Sequence, residues 1–151
     1  MKLTLLGTGC PSIDYKRCGA SNLVSTKKTK ILIDCGSGVT QRLNQSKNSS
    51  ADIDALLLTH LHTDHVIDLY QLIISSWHSD RDTIWKIYGP KGTKKFVDKI
   101  FLAWKSERQL RISYEKRKSI NALKYKVYEL NKNGSITIND LKIKYFEVDH
   151  K

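Results

Sequence analysis

A chain of 151 residues with 40% apolar content is long enough to close one hydrophobic core and fits a single domain. Its 26 Lys and Arg against 15 Asp and Glu leave a formal charge of +11, which favours anionic partners (nucleic acid, phosphate esters or anionic lipid) without choosing among them. No apolar run is long enough to cross a bilayer, and Thr4 and Gly7 interrupt the first apolar stretch before it reaches the length of a secretory signal, so no membrane is expected and the predicted location is cytoplasmic.

Taken in chain order, Lys2–Leu6 and Leu23–Ser25 read as short strands, and Lys30–Ile33 as a third that stops at Asp34. Gly36-Ser37-Gly38 opens a short helix over Val39–Leu43, followed by a polar loop over Asn44–Ser50. Ala55–Leu58 is a continuous apolar run, the pattern of a strand buried on both faces. Ile67 to Trp77 has its apolar residues at helical spacing. Trp85–Tyr88 is a strand stopped by Gly89-Pro90, and Thr93–Trp104 a helix with Val97, Ile100, Phe101 and Trp104 on one face. Lys105–Lys118 is basic and weakly patterned, as a solvated helix or loop is; a nucleic-acid arm is the alternative. Tyr125–Leu130 and Ser135–Ile138 flank Asn131-Lys132-Asn133-Gly134, whose Asn-Gly is a hairpin turn signal, and Asn139-Asp140 makes another turn into Leu141–Val148. Strands alternating with helices and then an antiparallel meander give an α/β or mixed layered fold.

The three cysteines, Cys10, Cys18 and Cys35, are odd in number and lack Cys-x-x-Cys spacing, which argues against a disulfide framework and a four-cysteine zinc site. They are expected as reduced thiols in or near the core.

The chemistry concentrates in His60-Leu61-His62-Thr63-Asp64-His65, directly after the apolar strand. Neutral imidazole is the commonest metal-holding side chain, with Asp the usual oxygen donor. On an extended loop His60 and His62 project to one side and can grip one ion, while Asp64 and His65 point at a second position. The carboxyl end of a buried strand is where open α/β sheets place ligands. A helix opening at Val66-Ile67-Asp68-Leu69 would add its N-terminal dipole nearby. His78, isolated in Trp77-His78-Ser79-Asp80, reads as an ordinary surface or hydrogen-bonded histidine.

His-x-His-x-Asp-His after a buried strand resembles the metallo-β-lactamase superfamily. Leu6-Gly7-Thr8-Gly9, Ile31-Leu32-Ile33-Asp34-Cys35-Gly36, Leu58-Thr59-His60 and Ile87-Tyr88-Gly89-Pro90 resemble its branch containing ribonuclease Z and arylsulfatase-like hydrolases. The resemblance implies an αβ/βα sandwich, of which residues 1–151 would form a C-terminally incomplete domain: the N-terminal half and the start of the second. It also implies that His60, His62 and His150 hold one zinc, and that Asp64 and His65 hold part of a second. Manganese or iron would also suit these ligands. Asp34 would brace the metal loop, and Asp64 is the implied proton acceptor. The implied reaction is attack of a metal-activated water on a phosphorus, sulfur or carbonyl centre.

Two departures shape the expectation. The bridging Asp and last His of the family come from the second half, so a sheet face normally covered by that half is expected to be exposed, giving poor solubility or homodimerisation through it. Thr63 stands where ribonuclease Z has Gly, and Val66-Ile67-Asp68-Leu69 replaces its Gly-Leu-Pro-Gly-Leu continuation. No glycine- and arginine-rich arm for tRNA is evident. The sequence therefore points first to a dinuclear metal-dependent hydrolase of a phosphodiester or related ester, with an anionic small molecule or RNA as substrate. A tRNA 3′-processing endonuclease is the first alternative. A non-catalytic metal-binding module is the second, applying if the short chain is complete.

Overall fold

In the computed structural model, which describes residues 1–150, six strands form one sheet in the order of the chain. They are β1 (Lys2–Gly7), β2 (Ser21–Ser25), β3 (Lys30–Ile33), β4 (Ala55–Leu57), β5 (Trp85–Gly89) and β6 (Tyr125–Glu129). The first three pair antiparallel, and β3 through β6 run parallel. Residue 151, the last of the predicted domain, lies outside the described residues.

The parallel strands need crossovers, and the helical periodicity supplies them. These are α1 (Val39–Gln45), α2 (Thr63–Val66), α3 (Leu69–His78), α4 (Thr93–Ala103) and α5 (Lys105–Tyr114). Register puts Leu23, Leu32, Leu56 and Ile87 in one row across the sheet, and all four are buried in the core with Leu72, Ile73, Trp77 and Val97 of the helices. The basic segment is the solvated helix α5, which buries no residue.

The opposite row, Leu3, Val24, Ile31 and Ala55, faces away from the helices. Part of it is covered by a separate two-stranded sheet, β7 (Asn133–Ile138) with β8 (Leu141–Phe146). Ile138 packs there with Ile31 and Ala55, flanked by Ile136, Leu141 and Ile143. The face expected to be open is thus half closed. Leu3 and Leu5 on the edge strand β1, 61% and 63% exposed, are the part left uncovered.

Three expectations need correction here. Asn133-Gly134 does not turn a hairpin: both residues lie inside β7, and β6 stays parallel beside β5. The turn is at Asn139-Asp140, where Asn139 adopts φ 50 and Asp140 accepts hydrogen bonds from the hydroxyls of Thr26 and Thr29, which tie the hairpin to the β2–β3 corner. Of the cysteines only Cys35 is in the core, where burial pushes its thiol well up; Cys10 is exposed and Cys18 half-buried. The helix after the metal motif does not open at Val66: a helical turn already begins at Thr63, and α3 restarts at Leu69.

None of the helices among the described residues is long and apolar enough to cross a membrane.

Candidate metal centre

Strand β4 ends at Leu57, and Leu58 continues its direction by donating its N–H to the carbonyl of Tyr88 at 2.7 Å. The chain then leaves the sheet at its carboxyl edge, as the sequence predicts. His62 is extended (φ −67, ψ 148) and stands at the N-terminus of the turn that follows, whose closure is the bond from His65 N–H to His62 carbonyl at 3.0 Å. The motif is therefore half extended and half helical. The extended part sends His60 and His62 to one place, and the helical turn swings Asp64 and His65 to their flank.

His60, His62 and His150 offer ligand nitrogens that all lie within 4.8 Å of one another. Their ring centroids are 4.6 Å (His60–His62), 4.7 Å (His60–His150) and 5.1 Å (His62–His150) apart. His150 arrives from beyond the end of β8, far from His60 and His62 in the chain, so the hairpin's docking on the main sheet completes this cluster. Burial and the neighbouring imidazoles of His65, His62 and His150 lower the pKa of His60, which favours the neutral ring that a metal requires.

The second group sits beside the first. The rings of His60 and His65 are 4.1 Å apart, and Asp64 Oδ2 is 3.5 Å from His65 Nε2. Two ligands on one tetrahedral ion, at about 2.0–2.2 Å each, are separated by roughly that distance.

Asp34 joins the two groups from beneath. It is 3% exposed, held at φ 61, and its Oδ2 lies 2.8 Å from His65 Nδ1. A carboxylate only accepts, so Nδ1 carries the hydrogen and the Nε2 lone pair of a neutral His65 faces Asp64. Asp34 Oδ1 accepts from the Thr59 N–H at 2.7 Å, and the Thr59 hydroxyl donates to the same carboxylate. With its one hydrogen so used, that hydroxyl must accept from His60 Nδ1 at 3.0 Å, leaving Nε2 of His60 for a ligand role. One buried carboxylate therefore fixes the tautomers of two histidines. Sequence reading gave Thr59 no role beyond its place in Leu58-Thr59-His60, because a lone threonine carries no spacing signal.

The backbone of the preceding corner is zipped to the motif. Cys35 N–H donates to the His65 carbonyl at 2.8 Å, and Asp68 N–H to the Cys35 carbonyl at 3.0 Å. Gly36 packs so closely that a Cβ there would lie 2.2 Å from the Asp64 carbonyl oxygen. Gly36→Ala is accordingly expected to cost about 1–3 kcal/mol and to displace Asp64. Urea unfolding and metal titration of the purified variant check it; unchanged values in both would mean the motif yields easily.

Asp68 does not cap its own helix; it accepts from the N–H and hydroxyl of Thr40, fastening α1 to α3. His78 is the ordinary histidine expected, paired with Glu115 at 3.0 Å and stacked on Trp77.

Sheet order, crossover helices and a histidine cluster at the carboxyl edge make this a metallo-β-lactamase fold, in the ribonuclease Z-like branch of that superfamily. The chain belongs to the family described as anti-Pycsar protein Apyc1, whose model matches residues 1–151. Ribonuclease Z of Mycolicibacterium gilvum is 40% identical over 118 residues, which are 76% of this chain and 41% of that protein. The chain thus spans less than half the length of this curated relative. Among solved structures, human tRNase Z, short form, superposes with TM-score 0.63 at 27% identity over 85% of this chain and 44% of that one. The metallo-β-lactamase fold protein YhfI from Bacillus subtilis gives TM-score 0.66 at 18% identity, covering 93% of this chain and 49% of its own.

Proposed function

We propose that residues 1–151 form the N-terminal part of a metal-dependent hydrolase domain that cleaves a phosphodiester or related ester. The observation that carries the reading is the convergence of His60, His62 and His150, with Asp64 and His65 beside them and Asp34 buried beneath. Three nitrogens so close, with a neutral ring favoured at His60, fit a divalent ion. His60, His62 and His150 would hold one ion, and Asp64 and His65 would contribute to a second. Zinc is the leading candidate, and manganese and iron suit the same donors. A bound divalent ion supplies Lewis acidity and lowers the pKa of water. The chain's own part is to present bare imidazole nitrogens in fixed directions, through Asp34 and Thr59, and to offer the Asp64 carboxylate as proton acceptor. A cytoplasmic setting agrees with three free cysteines, and a homodimer would cover Leu3 and Leu5.

Metal analysis of the purified protein, together with hydrolysis of bis(p-nitrophenyl) phosphate, tests the reading. Stoichiometric zinc, iron or manganese is expected in the wild type, with His62→Ala losing most of both metal and activity. A metal-free wild type, or His62→Ala retaining full activity, would overturn it.

A second reading, tRNA 3′-end processing, is favoured by the 40% identity to a ribonuclease Z over 118 residues. The same metal-loaded preparation given precursor tRNA should then release the 3′ trailer. Absence of cleavage alongside diester hydrolysis would remove this reading and keep the first.

A further inference from the structure

Away from the histidine cluster, the surface feature with the most chemistry is an open groove of about 500 Å³ along α4. Its lining mixes lysines with two acids, Asp98 and Glu129, and one large apolar residue, Leu102, which is 69% exposed. Both acids are already engaged. Glu129 Oε1 accepts the backbone N–H groups of Gly92 and Lys94 at 2.9 Å each. Asp98 accepts from Lys94 Nζ and from the Tyr125 hydroxyl, and these bonds hold its carboxyl below the usual range. Lys91, Lys95 and Lys99 are exposed and have no ion-pair partner among the described residues.

Helical spacing makes these groups a stripe. Within α4, Lys95, Lys99 and Leu102 stand at i, i+4 and i+7, successive neighbours on one face, about 4.5–6 Å apart along the axis. Lys91, in the loop before the helix, lines the same groove and extends the stripe. Val97 and Phe101 bury the other face of α4 in the core, so the stripe faces solvent and the helix has nothing of its own to set against it. Phosphates are recognised best by the planar fork of arginine, and single-stranded nucleic acid also calls for rings on which bases stack; the groove is lined by neither. An exposed leucine at the end of a row of ammonium groups meets nothing on a phosphate chain. It suits a partner that carries carboxylates and an apolar side chain on one face. Acids four residues apart on a second helix repeat at the same axial spacing of about 6 Å, and antiparallel alignment sets helix ends of opposite polarity together.

We propose that this face of α4 is a docking site for an acidic amphipathic helix of a partner protein. The partner helix lies antiparallel to α4, with carboxylates on Lys91, Lys95 and Lys99 and an apolar residue on Leu102. Charge complementarity sets its register, and the leucine contact fixes its end. The surface is independent of the metal centre and of the hydrolase reading.

The experiment is fluorescence anisotropy of a labelled, alanine-based helical peptide with the full chain, in chelator so that bound metal contributes nothing. The peptide carries a leucine followed by glutamates three, seven and eleven positions further on, the stripe in reverse order. A second peptide of the same composition spreads its glutamates around the helix. Saturable binding of the first peptide is expected, roughly tenfold tighter than the second and weakened by salt. The triple variant Lys91→Ala, Lys95→Ala, Lys99→Ala should weaken it about tenfold, and Leu102→Ala about three- to tenfold. Lys27→Ala, Lys28→Ala, Lys144→Ala, which removes equal charge from other exposed positions, should change it little. No saturable binding, equal binding of the two peptides, or equal losses in the two triple variants would each overturn the proposal. So would displacement of the peptide by oligouridylate of equal charge at a lower concentration than by unlabelled peptide, which would assign the groove to phosphate.

Discussion

Asp34→Asn should lower metal affinity by about 10- to 100-fold while leaving the fold close to wild type. The backbone at position 34 is left-handed, φ 61, a conformation that Asn and Asp adopt more readily than most non-glycine residues. The substitution therefore keeps shape and backbone. What it removes is the negative charge opposite His65 Nδ1 and beneath Thr59. Without that charge the two imidazoles lose the partner that fixes their hydrogens, and their basicity toward a metal falls. Asp34→Ala goes further, because Thr59 N–H and His65 Nδ1 then lose a buried acceptor and the alanine must hold a positive φ. An added destabilisation of about 2–3 kcal/mol is expected. A zinc-indicator competition assay and urea unfolding separate the two effects. If Asp34→Asn binds metal with wild-type affinity, the buried carboxylate is a structural anchor and does not tune the histidines.

The contrast between Asp34 and His150 shows how the site is encoded. His60, His62, Asp64 and His65 are legible because four chemically apt residues fall within six positions after an apolar strand. The sheet that carries them is legible for a related reason: Ile31-Leu32-Ile33 and Ala55-Leu56-Leu57-Leu58 need burial on both faces, and helical periodicity supplies the crossovers. Asp34 and His150 came into the site only through the family resemblance, since nothing local distinguishes either from other Asp and His residues. Thr59 was missed because its role arises from Asp34, twenty-five positions away.

The misread hairpin has a similar origin. Asn133-Gly134 and Asn139-Asp140 are both turn dipeptides, and local preference alone favours Asn-Gly. Tertiary pairing decides: Tyr125–Glu129 finds β5 in parallel register, and the Asp140 carboxylate finds Thr26 and Thr29. With the turn at Asn139-Asp140, β8 runs in the direction that brings His150 to His60 and His62.

Arg81 is a polar position where a single substitution should cost the fold heavily. Its guanidinium is buried, with 5% of the residue exposed, and among the described residues it has no ion-pair partner, although Asp54 and Asp82 are near enough to favour its charge. Four carbonyls satisfy it: Thr83 at 3.0 Å, Ala51 at 3.1 Å, Ile53 at 2.6 Å and Ile84 at 3.2 Å. It also lies over the Trp85 ring, 4.2 Å from its centroid. Burial brings its pKa down to about 10, so it is still charged at neutral pH, and its charge-assisted bonds knit the start of β4 to the start of β5. Those strands carry the metal loop and the α4 loop out of the sheet. Arg81→Ala strips four carbonyls, that of the buried Ile53 among them, of their donor and leaves a void against Trp85, for an expected loss of roughly 3 kcal/mol, or about 6–12 °C in Tm. Arg81→Lys keeps the charge, but three hydrogens on one nitrogen do not span four carbonyls held by a planar fork, so an intermediate loss is expected. Urea unfolding of the three proteins orders them wild type, Lys, Ala. If Arg81→Lys were as stable as wild type, the positive charge rather than the fork would be what holds β4 to β5.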